Sequence, residues 1–273
     1  MITLKVKAKA PAVYTLCEML SKLGYPVKIS DSFTAEVDAA VKDFQKKNAL
    51  VVDGVVGMKT WQVLMDKSSK IFKTNNLFLS EQDLKDFAKS FNLELAAVKA
   101  VNEVESSGKG FLINGKPKIL FEGHCFWQQL RKSGINPEKL LNTTNRNVLY
   151  PKWTKSFYVG GAKEYDRLNQ AIAISIDPKV KEAALAACSW GSFQIMGYHA
   201  KSLGYPSVQN FVDHMHLHER EHLLAFGKFL EVNKIMADLR SKNWAKVALK
   251  YNGAGYKKNQ YDEKLKKAYE KYS

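Results

Sequence analysis

Near the N-terminus, apolar residues recur every three or four positions in three separate runs, the spacing of one face of an α-helix. The first run spans 12–24 and ends at Gly24, a residue favoured just after a helix C-terminus. The second run (32–48) and the third (59–65) flank a DGVVG segment, whose glycines predict a tight turn. We therefore predict a small three-helix domain over residues 1–68.

A polar segment follows this domain. Residues 69–79 are rich in Lys, Ser and Asn, so we predict a linker there and a second domain over residues 80–273. In this second domain Ser80 is followed three residues later by Asp83, a spacing typical of the capping box at a helix N-terminus. Helical spacing recurs through the domain, so the predicted fold class is mainly α.

The helix predicted from residue 93 carries two glutamates with different surroundings. Glu105 lies at the end of the apolar stripe, whereas Glu103 lies four residues after Lys99 on the flank, which predicts a surface ion pair. Apolar surroundings and the negative end of a helix both disfavour a charged carboxylate, which is how a glutamate becomes a general acid. Glu105 is therefore a candidate proton donor; alternatively, it is a solvated residue of the last helical turn.

A second carboxylate follows a predicted hairpin. Asn114-Gly115 predicts the turn, residues 118–121 the return strand, and Glu122 ends that strand. Two acids that flank a sugar bond are the usual equipment of a glycosidase, so Glu122 is a candidate catalytic partner of Glu105. In the alternative interpretation, Glu122 is a structural acid paired with Arg131 or His124.

Two later segments place polar groups among apolar ones. An alanine-rich helix predicted over 180–188 leads into SWGSFQIMG, where Gln194 needs a hydrogen-bond partner from backbone or ligand. A helix over 244–251 is closed by an Asn-Gly pair.

The segment His218-Glu219-Arg220-Glu221-His222 suggests a different chemistry. It matches the H-E-x-x-H helix of zinc proteases, in which two histidines on one face hold the metal and the glutamate acts as base. The pattern is short and continues as an amphipathic helix, so our main prediction contains neither a metal nor a cofactor. Zinc peptidase activity is kept as an alternative.

The charge of the chain restricts its partners. Lys and Arg number 42 against 27 acidic residues among 273, a net charge of +15, and residues 234–273 hold eleven basic and four acidic residues. Such a charge favours nucleic acid, anionic lipid or an acidic cell wall. The sequence has no zinc-finger, RNA-recognition or KH motif, so we predict no nucleic-acid partner.

Other features of the sequence indicate the cellular compartment in which the protein is made. No apolar run is long enough to span a membrane, and the N-terminus lacks the pattern of a signal peptide. The three cysteines, Cys17, Cys125 and Cys188, are widely spaced among apolar neighbours, which predicts reduced thiols rather than a disulfide or zinc framework.

The order LGY, AVKDFQ, DGVVG and TW in residues 23–61 resembles the small peptidoglycan-binding domain of many wall hydrolases. The resemblance implies that wall glycan or stem peptide is held near Gln45, Asp53, Gly54 and Trp61. Structural roles are the alternative for each residue, since Asp53 and the glycines can simply form a turn and Trp61 can simply pack.

The order E-S (105–106), GSFQIM (191–196) and YNG (251–253) resembles the lysozyme-like superfamily. With ILFE (119–122), it looks most like the N-acetylmuramidase domain of bacteriophage endolysins. The resemblance implies a lysozyme-like, α-rich catalytic domain in which Glu105 is the acid. It implies that Gln194 and Tyr251 line the saccharide cleft, with Ser189 and Asn252 of the same motifs as further substrate contacts.

The expected activity is cleavage of the β-1,4 bond between N-acetylmuramic acid and N-acetylglucosamine in peptidoglycan, with lytic transglycosylation as the alternative. An endolysin is made in the host cytoplasm and reaches the wall on release, in keeping with the missing signal peptide and free thiols. We expect a monomer. The basic C-terminus, residues 257–271, suggests contact with the anionic outer membrane.

Overall fold

The computed structural model describes residues 3–72, 77–106 and 110–273. Its N-terminal part contains the helices α1 (Pro11–Lys22), α2 (Ala35–Lys47) and α3 (Met58–Phe72), which confirms the three predicted helices. Their apolar faces enclose a core of their own, in which the side chains of Trp61 and Leu64 are buried. Helix α3 runs to Phe72, into the predicted linker, because residues 66–79 contain no Gly or Pro to end it.

The second part of the chain is built mainly of helices around a larger core. Its helices are α4 (Glu81–Ser90), α5 (Leu95–Glu105), α6 (Gly123–Lys132), α7 (Glu164–Ile172), α8 (Pro178–Ala186), α9 (Val208–Met215), α10 (Glu219–Val232), α11 (Met236–Arg240), α12 (Trp244–Asn252) and α13 (Tyr261–Tyr272). The capping box is confirmed, since Ser80 and Asp83 each accept the backbone N–H of the other. The fold class is mainly α, as predicted.

A small antiparallel sheet lies among these helices. Its order is β1 (Ile119–Phe121), β2 (Cys188–Trp190) and β3 (Ile195–Met196). The predicted helix over 180–188 therefore ends earlier, at Ala186, because Cys188–Trp190 forms hydrogen bonds with strands on both sides. The Asn114-Gly115 turn is present, but it closes only a single Phe111–Pro117 bridge.

The C-terminal helix α13 packs against α5, which corrects one predicted ion pair. Glu103 bonds Lys271 at 2.7 Å rather than Lys99, whose ammonium lies 2.7 Å from Glu81. The predicted pair between Lys99 and Glu103 is therefore replaced by a pair with Lys271, which tertiary packing of α13 brings next to Glu103. In none of the three described ranges is a helix long and apolar enough to span a membrane.

Polar contacts join the N-terminal part of the chain to the second part. Lys163 Nζ lies 2.6 Å from Asp31, and the Tyr14 hydroxyl donates to Asp166 at 2.7 Å. The buried Asn114 amide donates to Glu18 at 2.6 Å, so the predicted hairpin turn also forms part of this interface.

Candidate active site

Glu105 is the last residue of α5, and its carboxyl group faces a cleft of about 370 Å³. The cleft is lined by Glu105, Phe193, Gln194, Ile195, Met196, His199, Phe229, Tyr251, Asn252 and Tyr261. On its inner side Glu105 meets apolar residues that include Val101, Phe226 and Leu230. Among the described residues that line the cleft, Glu105 is the one carboxylate.

The environment of Glu105 favours its protonated form. Burial raises the pKa of its carboxyl group from 4.5 to about 7, because the charged form loses hydration. The Asn252 amide donates to Glu105 Oε1 at 3.4 Å, which lowers the pKa but does not outweigh burial. A carboxyl group with this pKa holds a proton near neutrality, as a general acid must.

Gln194 lies in the tight turn between β2 and β3. Its backbone has φ +50°, and its amide group donates to the carbonyl of Gly191 at 2.8 Å and of Lys118 at 3.3 Å. Its oxygen accepts from the buried Ser189 hydroxyl at 2.9 Å. Of the two kinds of partner predicted for Gln194, backbone or ligand, backbone carbonyls are present, and Ser189 is a further partner that sequence reasoning did not assign to it.

Tyr251 connects α12 to this turn. Its hydroxyl donates to the carbonyl of Phe193 at 3.2 Å, and its ring meets the rings of Phe226 and Phe229 edge-on at 5.4 and 5.9 Å. The next residue, Asn252, bonds Glu105, so the two neighbours contact two different segments that line the cleft.

Residues 94–273 match the N-acetylmuramidase family, and residues 9–64 match a peptidoglycan binding domain family. This chain belongs to the N-acetylmuramidase family. A similar solved structure is the crystal structure of Burkholderia AP3 phage endolysin, with 40% sequence identity, 99% coverage of both chains and a TM-score of 0.67. No curated protein gives a significant match.

Glu122 belongs to a separate polar cluster. Its carboxylate accepts the Tyr158 hydroxyl and lies 3.4 Å from His124 Nδ1, one of its two predicted structural partners. The other, Arg131, instead pairs with Glu138 at 3.0 Å. Glu122 precedes α6 and is not among the residues that line the Glu105 cleft.

The residues predicted to bind the wall divide into buried and exposed groups. Gln45 is 1% exposed, donates to Asp53 at 2.9 Å and accepts the N–H of Gly54, so it holds the DGVVG turn together. Trp61 is 2% exposed and packs in the core. Asp53 is exposed, and a Cβ on Gly54 would lie 2.2 Å from Asp38 Oδ1. Of these four residues, Asp53 is therefore the exposed one.

The side chains of His218, Glu219 and His222 in the HEREH segment form hydrogen bonds with other groups of the same chain. His218 is the N-cap residue of α10, outside the helix, and accepts the N–H of Arg220 at 2.9 Å. His222 is buried with both ring nitrogens bonded, and Glu219 accepts two backbone N–H groups. The predicted zinc ligands thus do not share one helix face, and within the described ranges no group of three His, Cys, Asp or Glu is suited to a metal ion.

Two cleft residues with polar groups, His199 and Tyr261, were absent from the sequence prediction. His199 lies between the rings of Tyr198 and Phe229, at 4.5 and 5.2 Å, and burial lowers its pKa below 6.5. Tyr261 enters the cleft from the start of α13. No local pattern marks either residue, since both reach the cleft only through packing of separate elements.

Proposed function

We propose that this chain is a phage endolysin that hydrolyses the β-1,4 bond between N-acetylmuramic acid and N-acetylglucosamine, with Glu105 as the proton donor. The observation that supports this proposal is the half-buried Glu105 carboxyl group, whose pKa is raised to about 7, in the cleft of a member of the N-acetylmuramidase family. Gln194, Tyr251 and Asn252 form the cleft walls beside it and are the proposed saccharide contacts, with Ser189 supporting Gln194.

In the proposed mechanism the protonated Glu105 donates its hydrogen to the glycosidic oxygen as the bond to the anomeric carbon breaks. An oxocarbenium-like species forms, water adds to its anomeric carbon, and the proton that the water loses restores the protonated form of Glu105, directly or through solvent. We propose that Glu122 acts indirectly in the reaction, by holding Tyr158 and His124, because its carboxylate contacts these two residues and does not line the cleft.

We propose that the N-terminal domain holds the enzyme on the wall through the loop at residues 51–58. The loop exposes Asp53 and the apolar side chains of Val51 (77% exposed) and Met58 (76%), which suit a ligand with both polar and methyl groups. The chain would act as a monomer, made in the host cytoplasm without a cofactor and carried to the wall on release.

The experiment that tests the bond assignment is mass spectrometry of digested, purified walls. Hydrolysis leaves reducing muramic acid ends, which are heavier by one water than the 1,6-anhydro ends of a transglycosylase. Peptidase action would instead release new amino groups. We expect reducing ends and full digestion in EDTA; anhydro ends, or inhibition by EDTA, would contradict the proposal.

The basic C-terminus carries a separate proposal, contact with the anionic outer membrane. Helix α13 is packed against α5 through Leu265 and Ala268, so only its outer lysines, such as Lys266 and Lys267, are available. Charge reversal of these two lysines is expected to reduce killing of intact cells by added enzyme while leaving digestion of purified walls unchanged. Unchanged killing would contradict membrane contact.

A further inference from the structure

The HEREH segment, unused by the proposed mechanism, lies at the start of the helix on which the cleft is assembled. Along α10 one stripe carries Glu219, His222, Phe226 and Phe229. Phe226 stacks on Phe193 of the Gln194 turn at 4.4 Å, and Phe226 and Phe229 both meet the Tyr251 ring. The first two residues of the stripe are polar and nearly fully buried, which requires partners.

Glu219 joins two segments that are distant in sequence. Its Oε1 accepts the N–H of Gly110 at 2.7 Å, and its Oε2 accepts the N–H of Leu79 at 3.0 Å. These two residues bracket α4 and α5, the helices that end at Glu105. The carboxylate lies in the first turn of α10, where the helix dipole favours a negative charge.

His222 holds the other wall. Its Nε2 lies 2.7 Å from the Met215 carbonyl, which only accepts, so Nε2 carries the hydrogen and Nδ1 accepts the N–H of Ser192 at 3.1 Å. Ser192 precedes Phe193 and Gln194 in the cleft turn. The His222 ring also stacks on Phe111, next to Gly110, at 5.0 Å.

The space between these groups is closed. A Cβ added to Gly110 would lie 2.2 Å from Ser192 Oγ and 2.5 Å from His222 Nδ1, and one added to Gly191 would lie 2.6 Å from the His222 ring. Gly110 and the Gln194 turn therefore meet at His222 and Glu219 without intervening room.

We propose that Glu219 and His222 are positioning residues of the muramidase reaction: Glu219 sets the place of the segment that carries Glu105, and His222 sets the turn that lines the cleft. The inference rests on Glu105 being the proton donor. A displacement of about 1 Å between reacting groups is enough to cost roughly 10²-fold in rate, so loss of either bond should be visible in kinetics.

The test compares Glu219→Gln with Glu221→Gln, the same change two residues along α10, where Glu221 pairs with His214 at 2.8 Å near the surface. A glutamine side chain in place of Glu219 has one acceptor oxygen, so its NH₂ group would oppose one of the two N–H donors. We expect kcat on defined wall oligosaccharides to fall about tenfold for Glu219→Gln, with KM within twofold of the control. The pH at which kcat/KM falls on the alkaline side should also shift below about 7. A loosened segment admits water to Glu105, which lowers the pKa of its carboxyl group.

A second variant, His222→Phe, tests the proposal independently in case Glu219→Gln does not fold. His222→Phe keeps the stack on Phe111 but removes the acceptor for Ser192, so KM should rise several-fold relative to Glu221→Gln, since the disturbed turn lines the cleft. In a folded variant, kcat and KM within twofold of the control, together with an unchanged pH dependence of kcat/KM, would overturn the proposal even if the melting temperature fell. Failure of the proton-donor assignment is distinguishable, because Glu105→Gln would then remain active.

Discussion

Replacing Glu105 by glutamine is expected to lower kcat by about 10²- to 10⁴-fold, the usual contribution of a general acid. The amide is nearly isosteric with the carboxyl group and can still accept the Asn252 hydrogen bond, but it has no acidic proton to donate to the glycosidic oxygen. The measurement is the steady-state rate on purified walls. Glu103→Gln, two residues away on the same helix, is the matched control and should retain activity, because Glu103 bonds Lys271 at the surface. Near-wild-type activity of Glu105→Gln would refute the assignment.

The same residue predicts how pH affects rate and stability. Glu105 must be protonated to act, so kcat/KM should fall as pH rises through about 7. Because its pKa in the folded state is above 4.5, the folded protein is stabilised by this group below pH 4.5 and loses that stabilisation as pH rises through 7. The full difference is about 3 kcal/mol, so Glu105→Gln should unfold at higher denaturant than wild type at pH 8 and close to it at pH 4.5. Equal stability at both pH values would contradict burial of the carboxyl group.

Replacing Arg167 by methionine is expected to reduce the free energy of unfolding by about 3–5 kcal/mol, the cost of leaving a buried charge without its partner. Glu164 is 0% exposed, and its carboxylate lies 2.8 Å from the Arg167 guanidinium. Arg167 also donates to the carbonyl oxygens of Phe121 and Asn147 at 2.8 and 3.0 Å. The pair therefore anchors the end of β1, immediately before Glu122.

Denaturant unfolding of Arg167→Met measures this cost, and Arg131→Met is its control. Arg131 pairs with Glu138 with more than half of each side chain exposed, so its loss should cost less than about 1 kcal/mol. A second change, Glu164→Leu, should recover only part of the loss, because the carboxylate also accepts the N–H groups of Val159, Gly160 and Phe121. A cost for Arg167→Met no larger than that of the control would show that the buried pair is not an anchor.

Helices and their ends could be predicted from the sequence because their determinants are local. The capping box at Ser80 and the Asn-Gly end of α12 depend on residues within one or two turns, and the structure has both. The position of Glu105 at the end of an apolar stripe is also local, and it was enough to make this residue a candidate for the acid before any contact was known.

Contacts between residues distant in the chain could not be predicted from the sequence, because the neighbouring residues in the chain do not determine them. Cys188 was predicted as the last residue of the alanine-rich helix but is the first residue of the middle strand, since β1 and β3 supply the hydrogen bonds of that strand. Glu103 exchanged its predicted partner four residues away for one on α13. His199 and Tyr261 reached the cleft by the same kind of packing.

The mainly helical fold class, the family and the candidate acid follow from the amino-acid sequence alone, because periodicity, caps and motifs depend on neighbouring residues. Three-dimensional packing was needed to show that the Glu105 cleft has no second carboxylate among its described lining residues. It was also needed to show that Gln45 and Trp61 are buried, and that Glu219 and His222 bond Gly110 and Ser192. Those outcomes depend on which distant segments desolvate each polar group and supply its hydrogen bonds.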